Sequence, residues 1–340
     1  MSTRQYVFTP KVSLKPNQVT LYNDVCFSTE GSDILRSIHE GQSRTPIEKQ
    51  FHNFTISRAA QKNIVQKVQW LYLLGKSSYK KTYSGTEIFN FKINFLTLTL
   101  PSAQKHNTAK ITNECFNHFL TEIRQRTQMQ NYVWRLEFQK NGNVHYHIVT
   151  DMYIDYFMAQ KIWNRIINKL GYVDAYTRKF EKMTLQDYVK TQSNYHNATF
   201  DILAKRYAKG RAVKWKEPRS VDVKVCTNNK SIAHYIAKYF SKDSDSFSIC
   251  NPLDNEDNSF GLRLWFCSRS LSKLKSITDY SESMKINWHW LLLGKEKVRS
   301  VVMEYAHCLY FDIRNLSNDM KALLYPTFRA YANEQGYNSA

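Results

Sequence analysis

Trp134-Arg135-Leu136-Glu137-Phe138-Gln139-Lys140-Asn141-Gly142-Asn143-Val144-His145-Tyr146-His147 reads as two short strands around a glycine turn, and it decides the fold. Side chains alternate along a strand, so His145 and His147 share a face. Leu136 and Phe138 point opposite to Arg135, Glu137 and Gln139. Turn parity settles whether Glu137 joins the histidines. A two-residue Asn-Gly loop would pair 138 with 145 and turn Glu137 away. A three-residue loop, Lys140-Asn141-Gly142 with Gly142 left-handed, pairs 137 with 145 and 135 with 147. The second arrangement is expected here. It sets one carboxylate and two imidazoles on one face, with Trp134, Leu136, Phe138, Val144 and Ile148 turned to the core.

Outward from the hairpin, Ile93-Asn94-Phe95-Leu96-Thr97-Leu98-Thr99-Leu100 is rich in strand formers and stops at Pro101. A helical stretch follows over roughly 107–128. Beyond the hairpin, Asp155 is placed to cap a helix that runs to Leu170 and ends at Gly171. Residues 205–219 carry Lys205, Arg206, Lys209, Arg211, Lys214, Lys216 and Arg219 against one Glu217, as in a loop that binds a phosphate backbone. Val221–Val225 alternates as a strand, 230–242 has helical spacing, and Leu264–Cys267 is a last short strand. Strands and helices in this order predict an α+β fold with a mainly antiparallel sheet. Upstream, Ala60, Ile64, Val68, Leu71 and Leu74 before Gly75 mark a helix capped by Thr55 or Ser57. The division expected is an N-terminal arm and accessory helix over 1–90, a central domain over 91–270 and a C-terminal helical segment over 271–340.

The chain has 340 residues, a formal charge of +19 and 42% hydrophobic residues, enough to bury a real core and basic enough to favour an anionic partner. No apolar run reaches the length of a bilayer, and the first residues lack the apolar centre of a signal peptide, so the expected place is the cytosol and the partner nucleic acid rather than membrane. Cys26, Cys115, Cys226, Cys250, Cys267 and Cys308 are scattered without a CxxC pair, which predicts reduced thiols. No GxxxxGK[ST] occurs, so no nucleotide-driven motor is legible.

Two histidines and a carboxylate on one face form a candidate divalent metal site: His145, His147 and Glu137, with Gln139 as the alternative to Glu137. A bare HxH is more often ordinary strand decoration; the same-face Glu137 gives it weight. A non-haem iron centre or a zinc hydrolase would use the same donors. The second constellation is His234-Tyr235-Ile236-Ala237-Lys238-Tyr239-Phe240-Ser241-Lys242. Tyr235, Lys238, Tyr239 and Lys242 fall at i, i+3, i+4 and i+7, one stripe of a helix. Two phenols beside two ammonium groups suit attack on a phosphodiester, because the cations stabilise both the phenolate and the charge growing on phosphate. A lone YxxxY would be a routine amphipathic helix, and a non-catalytic single-stranded nucleic-acid binder that stacks bases on aromatic rings would need the charge but neither constellation.

Phe95–Pro101, the Glu137…His145-Tyr146-His147 segment and Tyr235–Lys242 resemble, in order, the three motifs of HUH-type rolling-circle replication initiators, nearest to those of microviruses (single-stranded DNA bacteriophages) and related plasmids; Gly261–Arg269 is similar to a late strand of that group. The resemblance covers about residues 93–270. It implies a ferredoxin-like antiparallel sheet with flanking helices and terminal extensions. It also implies Mg²⁺ or Mn²⁺ as cofactor, a single-stranded DNA origin as substrate, and host helicase and DNA polymerase as partners. The histidines would bind the metal and Tyr239 or Tyr235 would nick. Histidines preceding tyrosines in the chain argue against relaxases, and paired tyrosines against the single-tyrosine transposase type.

Overall fold

The computed structural model describes residues 6–27, 56–75, 78–81, 87–91, 93–196, 198–226, 263–279, 296 and 298–337. In chain order these form β1 (Tyr6–Lys15), β2 (Gln18–Phe27), α1 (Arg58–Leu74), β3 (Ser78–Lys81), β4 (Glu87–Phe91) and β5 (Ile93–Thr99). Then come α2 (Thr108–Ile111), a π-helical turn (Thr112–Phe116), α3 (Asn117–Thr127), β6 (Tyr132–Phe138), β7 (Val144–Thr150) and α4 (Tyr156–Asn168). Three further helices, α5 (Tyr172–Glu181), α6 (Leu185–His196) and α7 (Phe200–Ala212), precede β8 (Val221–Cys226) and β9 (Trp265–Cys267). The last elements are α8 (Arg269–Lys273), β10 (Ile277–Asp279), β11 (Arg299–Met303), β12 (Ala306–Tyr310) and α9 (Asn318–Glu334). The fold is α+β, with two five-stranded antiparallel sheets among the described residues.

The chain divides into two compact units: Phe54–Ser268 with Ser339–Ala340, and Met1–Asn53 with Arg269–Asn338. In the first, the sheet order is β8-β5-β7-β6-β9. Its first four strands follow the β-α-β-β-α-β sequence, with the parallel strands β5 and β6 split by β7, which is the ferredoxin-like plan. One face carries Leu96, Leu98, Leu136, Phe138, Val144, Tyr146 and Ile148. These are buried against Ile111, Phe116, Phe119 and Ile123 of the first helical segment and Ile162, Trp163 and Ile166 of α4. Each such side chain withdrawn from water contributes roughly 1.5–3 kcal/mol. Both core helices therefore lie on a single face, and the alternate side chains build the other.

The hairpin expectation is met residue for residue. Glu137 pairs with His145, Arg135 with His147 and Phe138 with Val144. The loop closes through Gln139 N–H to Asn143 O (2.8 Å) and Gly142 N–H to Gln139 O (2.8 Å), with Gly142 at φ +81°. Asp155 caps α4, accepting from Met158 N–H at 2.9 Å.

Other expectations need correction. Residues 6–27 are no arm. Val12 and Leu14 of β1 and Val19 of β2 are buried on alternating positions, and Lys15 pairs with Gln18 across a two-residue Pro16-Asn17 turn, so the prolines punctuate a hairpin rather than prevent one. β1 and β2 belong to the second unit, in the order β10-β1-β2-β12-β11, and the C-terminal residues expected to be helical supply β10, β11 and β12 as well as α9. The basic stretch 205–219 is helical up to Ala212, because Leu203 and Tyr207 of α7 enter an aromatic cluster with Phe180, Tyr188 and Trp215.

Candidate active site

Directly paired residues in a sheet project to the same side. Thr97 lies opposite His147 and Thr99 opposite His145 on one flank of β7, while Arg135 and Glu137 lie opposite the same two histidines on the other. The face away from the helical core thus gathers Thr97, Thr99, Arg135, Glu137, His145 and His147 from three strands. On β8, Asp222 lies opposite Thr97, which extends the polar row to the sheet edge. Asp222 is half-exposed and within 3.3 Å of Lys224 and 3.7 Å of Arg219.

His147 is the centre of the group. Its side chain is buried, its ring stacks on Phe95 with centroids 5.5 Å apart, and both nitrogens are engaged. Nε2 lies 3.0 Å from Glu137 Oε2 and Nδ1 lies 3.2 Å from Thr97 Oγ1. A carboxylate only accepts, so Nε2 carries the hydrogen and Nδ1 accepts from the threonine hydroxyl. His145 stands beside it, rings 4.6 Å apart. Its Nε2 is buried with no hydrogen-bond partner among the described residues. Burial pushes the His145 imidazole from 6.5 down to about 3; neighbouring His147 acts the same way and Glu137 opposes. His145 is therefore neutral at physiological pH, with a lone pair or a single N–H turned into the site. Arg135 is almost completely buried, and that burial lowers its pKa while the Glu137 carboxylate favours the charged form.

The strand bearing the histidines is fixed from behind. Tyr146, between them, points into the core, where its ring stacks on Phe116 with centroids 4.0 Å apart. Its hydroxyl meets Thr112 Oγ1 at 2.7 Å, and that oxygen donates to Thr108 O at 2.8 Å. Both partners come from the π-helical turn or its first residue, where the wider coil sets Thr112 and Phe116 over β7. At the hairpin end, Gln104 Oε1 accepts from Val144 N–H, and Asn143 Oδ1 accepts from Gln104 N–H, each at 2.8 Å.

Of the residues singled out in the sequence, Glu137, His145 and His147 come together, and Gln139 stands one step further along β6, facing Thr99 Oγ1 at 3.3 Å. Tyr235, Lys238, Tyr239 and Lys242 lie outside the described residues. Sequence reasoning missed Thr97, Thr99 and Asp222 as site residues. The Leu-Thr-Leu-Thr-Leu alternation over 96–100 carried a signal for the threonines; nothing marked Asp222.

The donor set, two imidazoles and a carboxylate, is of the kind that holds a divalent ion. The orphaned Nε2 of His145 fits such an occupant, since a buried nitrogen without a partner is costly. Among the described residues, no three His, Cys, Asp or Glu side chains are arranged to hold an ion as they stand: Glu137 is hydrogen-bonded to His147 instead. The cysteines the structure describes, Cys115, Cys267 and Cys308, are free thiols and buried. No described helix is long and apolar enough to cross a membrane.

Residues 93–244 match a family model of replication-associated proteins, the ORF2 and gene 2 protein family. The match begins at β5, takes in the Glu137–His147 hairpin and extends over the paired tyrosines. It covers less than half of the chain and supports the reading of a replication initiator. No curated protein matches the chain significantly, and neither does any solved structure.

Proposed function

We propose that this chain initiates rolling-circle replication by nicking a single-stranded DNA origin with a tyrosine, leaving a 5′-phosphotyrosyl bond and a free 3′-OH. The observation that carries the proposal is the Glu137–His147–His145 group on the helix-free face of a ferredoxin-like sheet, inside a segment similar to replication-associated proteins. His145, His147 and Glu137, or Gln139 in place of Glu137, would hold Mg²⁺ or Mn²⁺. Bound there, the ion supplies Lewis-acid polarisation of a non-bridging phosphate oxygen. Thr97 suits either state of His147: its hydroxyl donates to Nδ1 while Nε2 keeps its proton, and accepts from Nδ1–H once Nε2 gives up its lone pair to a cation. Arg135, charged and buried beside Glu137, keeps the local balance from becoming too acidic for a phosphate to approach.

The reaction balances without an energy source. The phenol oxygen of Tyr239 or Tyr235 forms a bond to phosphorus, the P–O3′ bond breaks, and the phenol's proton ends on the departing 3′ oxygen. One phosphodiester replaces another, so the step is reversible. Lys238 and Lys242, on the same helical stripe, stabilise the phenolate and the charge on phosphate. The released 3′-OH is a primer for the host polymerase, with a host helicase opening the template in the bacterial cytoplasm. Two tyrosines let one retain the old 5′ end while the other cuts the regenerated origin.

The test is a covalent-adduct assay with origin oligonucleotides and Mn²⁺, the modified residue located by mass spectrometry. Expected are an adduct on Tyr239 or Tyr235, its loss in EDTA, and a fall of about a hundredfold or more for His147→Ala. Full labelling of a Tyr235→Phe/Tyr239→Phe double variant refutes the mechanism. Tight binding without any adduct would make the chain a non-catalytic single-strand binder.

A further inference from the structure

The insertion between α4 and β8 is the most basic surface the nicking reading leaves unused. Over 172–219 the chain has eleven Lys and Arg against five Asp and Glu. Its interior is a small aromatic core. Trp215 stacks on Phe180 with centroids 5.1 Å apart, and Tyr176, Tyr188 and Tyr207 stand 5.5–6.3 Å from the same indole. Phe180, Tyr188 and Trp215 are buried, and Tyr176 and Tyr207 are half-buried. Gly210 allows the indole to lie flat on α7, since a Cβ there would come within 2.2 Å of the ring. The cluster is tied to the sheet unit through Thr177 Oγ1 to Trp215 O at 3.0 Å and Asn164 Nδ2 to Pro218 O at 3.0 Å.

This packing changes what the surface can bind. In sequence, aromatics interleaved with cations suggest a platform for unpaired bases. In the structure five of those rings face one another, and among the insertion's described side chains the large exposed ring left over is Phe200. Lys205, Arg206 and Lys209 of α7, with Lys214 and Lys216 beyond it, are exposed or partly so. A single strand is held by cations and stacking together, whereas a duplex hides its bases and offers phosphates in fixed rows. A rigid, charge-rich surface with its rings turned inward suits the second.

We propose that the helical insertion Tyr172–Arg219 binds the phosphate backbone of duplex DNA, as a second nucleic-acid surface distinct from the Glu137–His147 face. The choice of DNA over RNA rests on the replication reading; the preference for a duplex does not. It gives the protein a grip on paired DNA flanking the strand it cuts.

The experiment measures affinity of the full chain for a duplex and for a single strand of equal length across a salt series. The variant is Lys205→Ala/Arg206→Ala/Lys209→Ala/Lys216→Ala. A second variant, Lys110→Ala/Arg124→Ala/Lys161→Ala/Lys169→Ala, removes equal charge from exposed positions on the helical layer of the sheet and near its end. For the insertion variant the slope of log K against log salt for duplex falls by about 3–4, at ~0.9 per lost phosphate contact, and duplex affinity drops at least about tenfold at physiological salt. Single-strand affinity stays within about twofold, as does everything in the second variant. Unchanged duplex affinity, an equal loss for single strand, or an equal loss in the second variant overturns the proposal. Because binding is read without cleavage, a missing tyrosine adduct bears on the nicking mechanism alone.

Discussion

Lowering the pH should cost this protein stability through His145 in particular. The folded imidazole titrates near 3, held down chiefly by burial, against 6.5 for the free side chain. A folded value below the unfolded one means that the unfolded chain binds the extra proton, so the contribution is fully present above about pH 6.5 and drains away as pH falls toward 3. At about pH 5.5 the unfolded imidazole is roughly nine-tenths protonated while the folded one stays neutral; the difference is about 1.4 kcal/mol, against less than 0.1 kcal/mol at about pH 7.5. That figure hardly depends on the folded value, provided it lies well below 5. His145→Gln cannot titrate. Urea unfolding in EDTA, followed by the fluorescence of Trp70, Trp134 and Trp163, all buried in the same unit, should show the wild type losing about 1.4 kcal/mol more than the variant between those two pH values. Comparing the two proteins cancels the other histidines and carboxylates. Parallel pH profiles would refute the claim that His145 is enclosed and neutral.

Tyr146→Phe removes the hydroxyl that meets Thr112 at 2.7 Å but keeps the ring on Phe116, so it should destabilise by about 1 kcal/mol in denaturant titration. A drop beyond about 3 kcal/mol would mean that the hydroxyl does more than anchor β7. Gly210→Ala sets a methyl into the Trp215 indole and should expel the ring; hydrogen exchange over 172–216 should speed up while that of β5–β7 holds, and equal acceleration in both would show that the insertion has no core of its own.

Local chemistry was legible where it acts over a few residues. Gly142 had to be left-handed for a three-residue loop, and that parity alone assigned Glu137, His145 and His147 to one face. Asp155 announced α4 by its capping side chain. Long-range pairing was less visible. Thr97 reaches His147 because β5 lies between β7 and β8, and no period in residues 93–100 reports which strands will flank them. Asp222 is a site neighbour for the same reason. The hairpin over 6–27 was obscured by Pro10 and Pro16, and the aromatic insertion by the spread of Tyr176, Phe180, Tyr188, Tyr207 and Trp215 along some forty residues, with no single window showing a shared face.

The sheet built on β1 and β2 has an implication for biosynthesis. β2 pairs with β12 and β1 with β10, so strands made first wait for partners made nearly last. The intervening Phe54–Ser268 unit is contiguous and can fold as it leaves the ribosome, whereas the N-terminal hairpin must remain in solution with open edges until Ala306–Tyr310 arrives. A two-stranded hairpin is barely stable alone. Interrupted translation should therefore yield a folded middle with an unprotected N-terminal ribbon, a natural target for proteases and for mispairing with a second nascent chain.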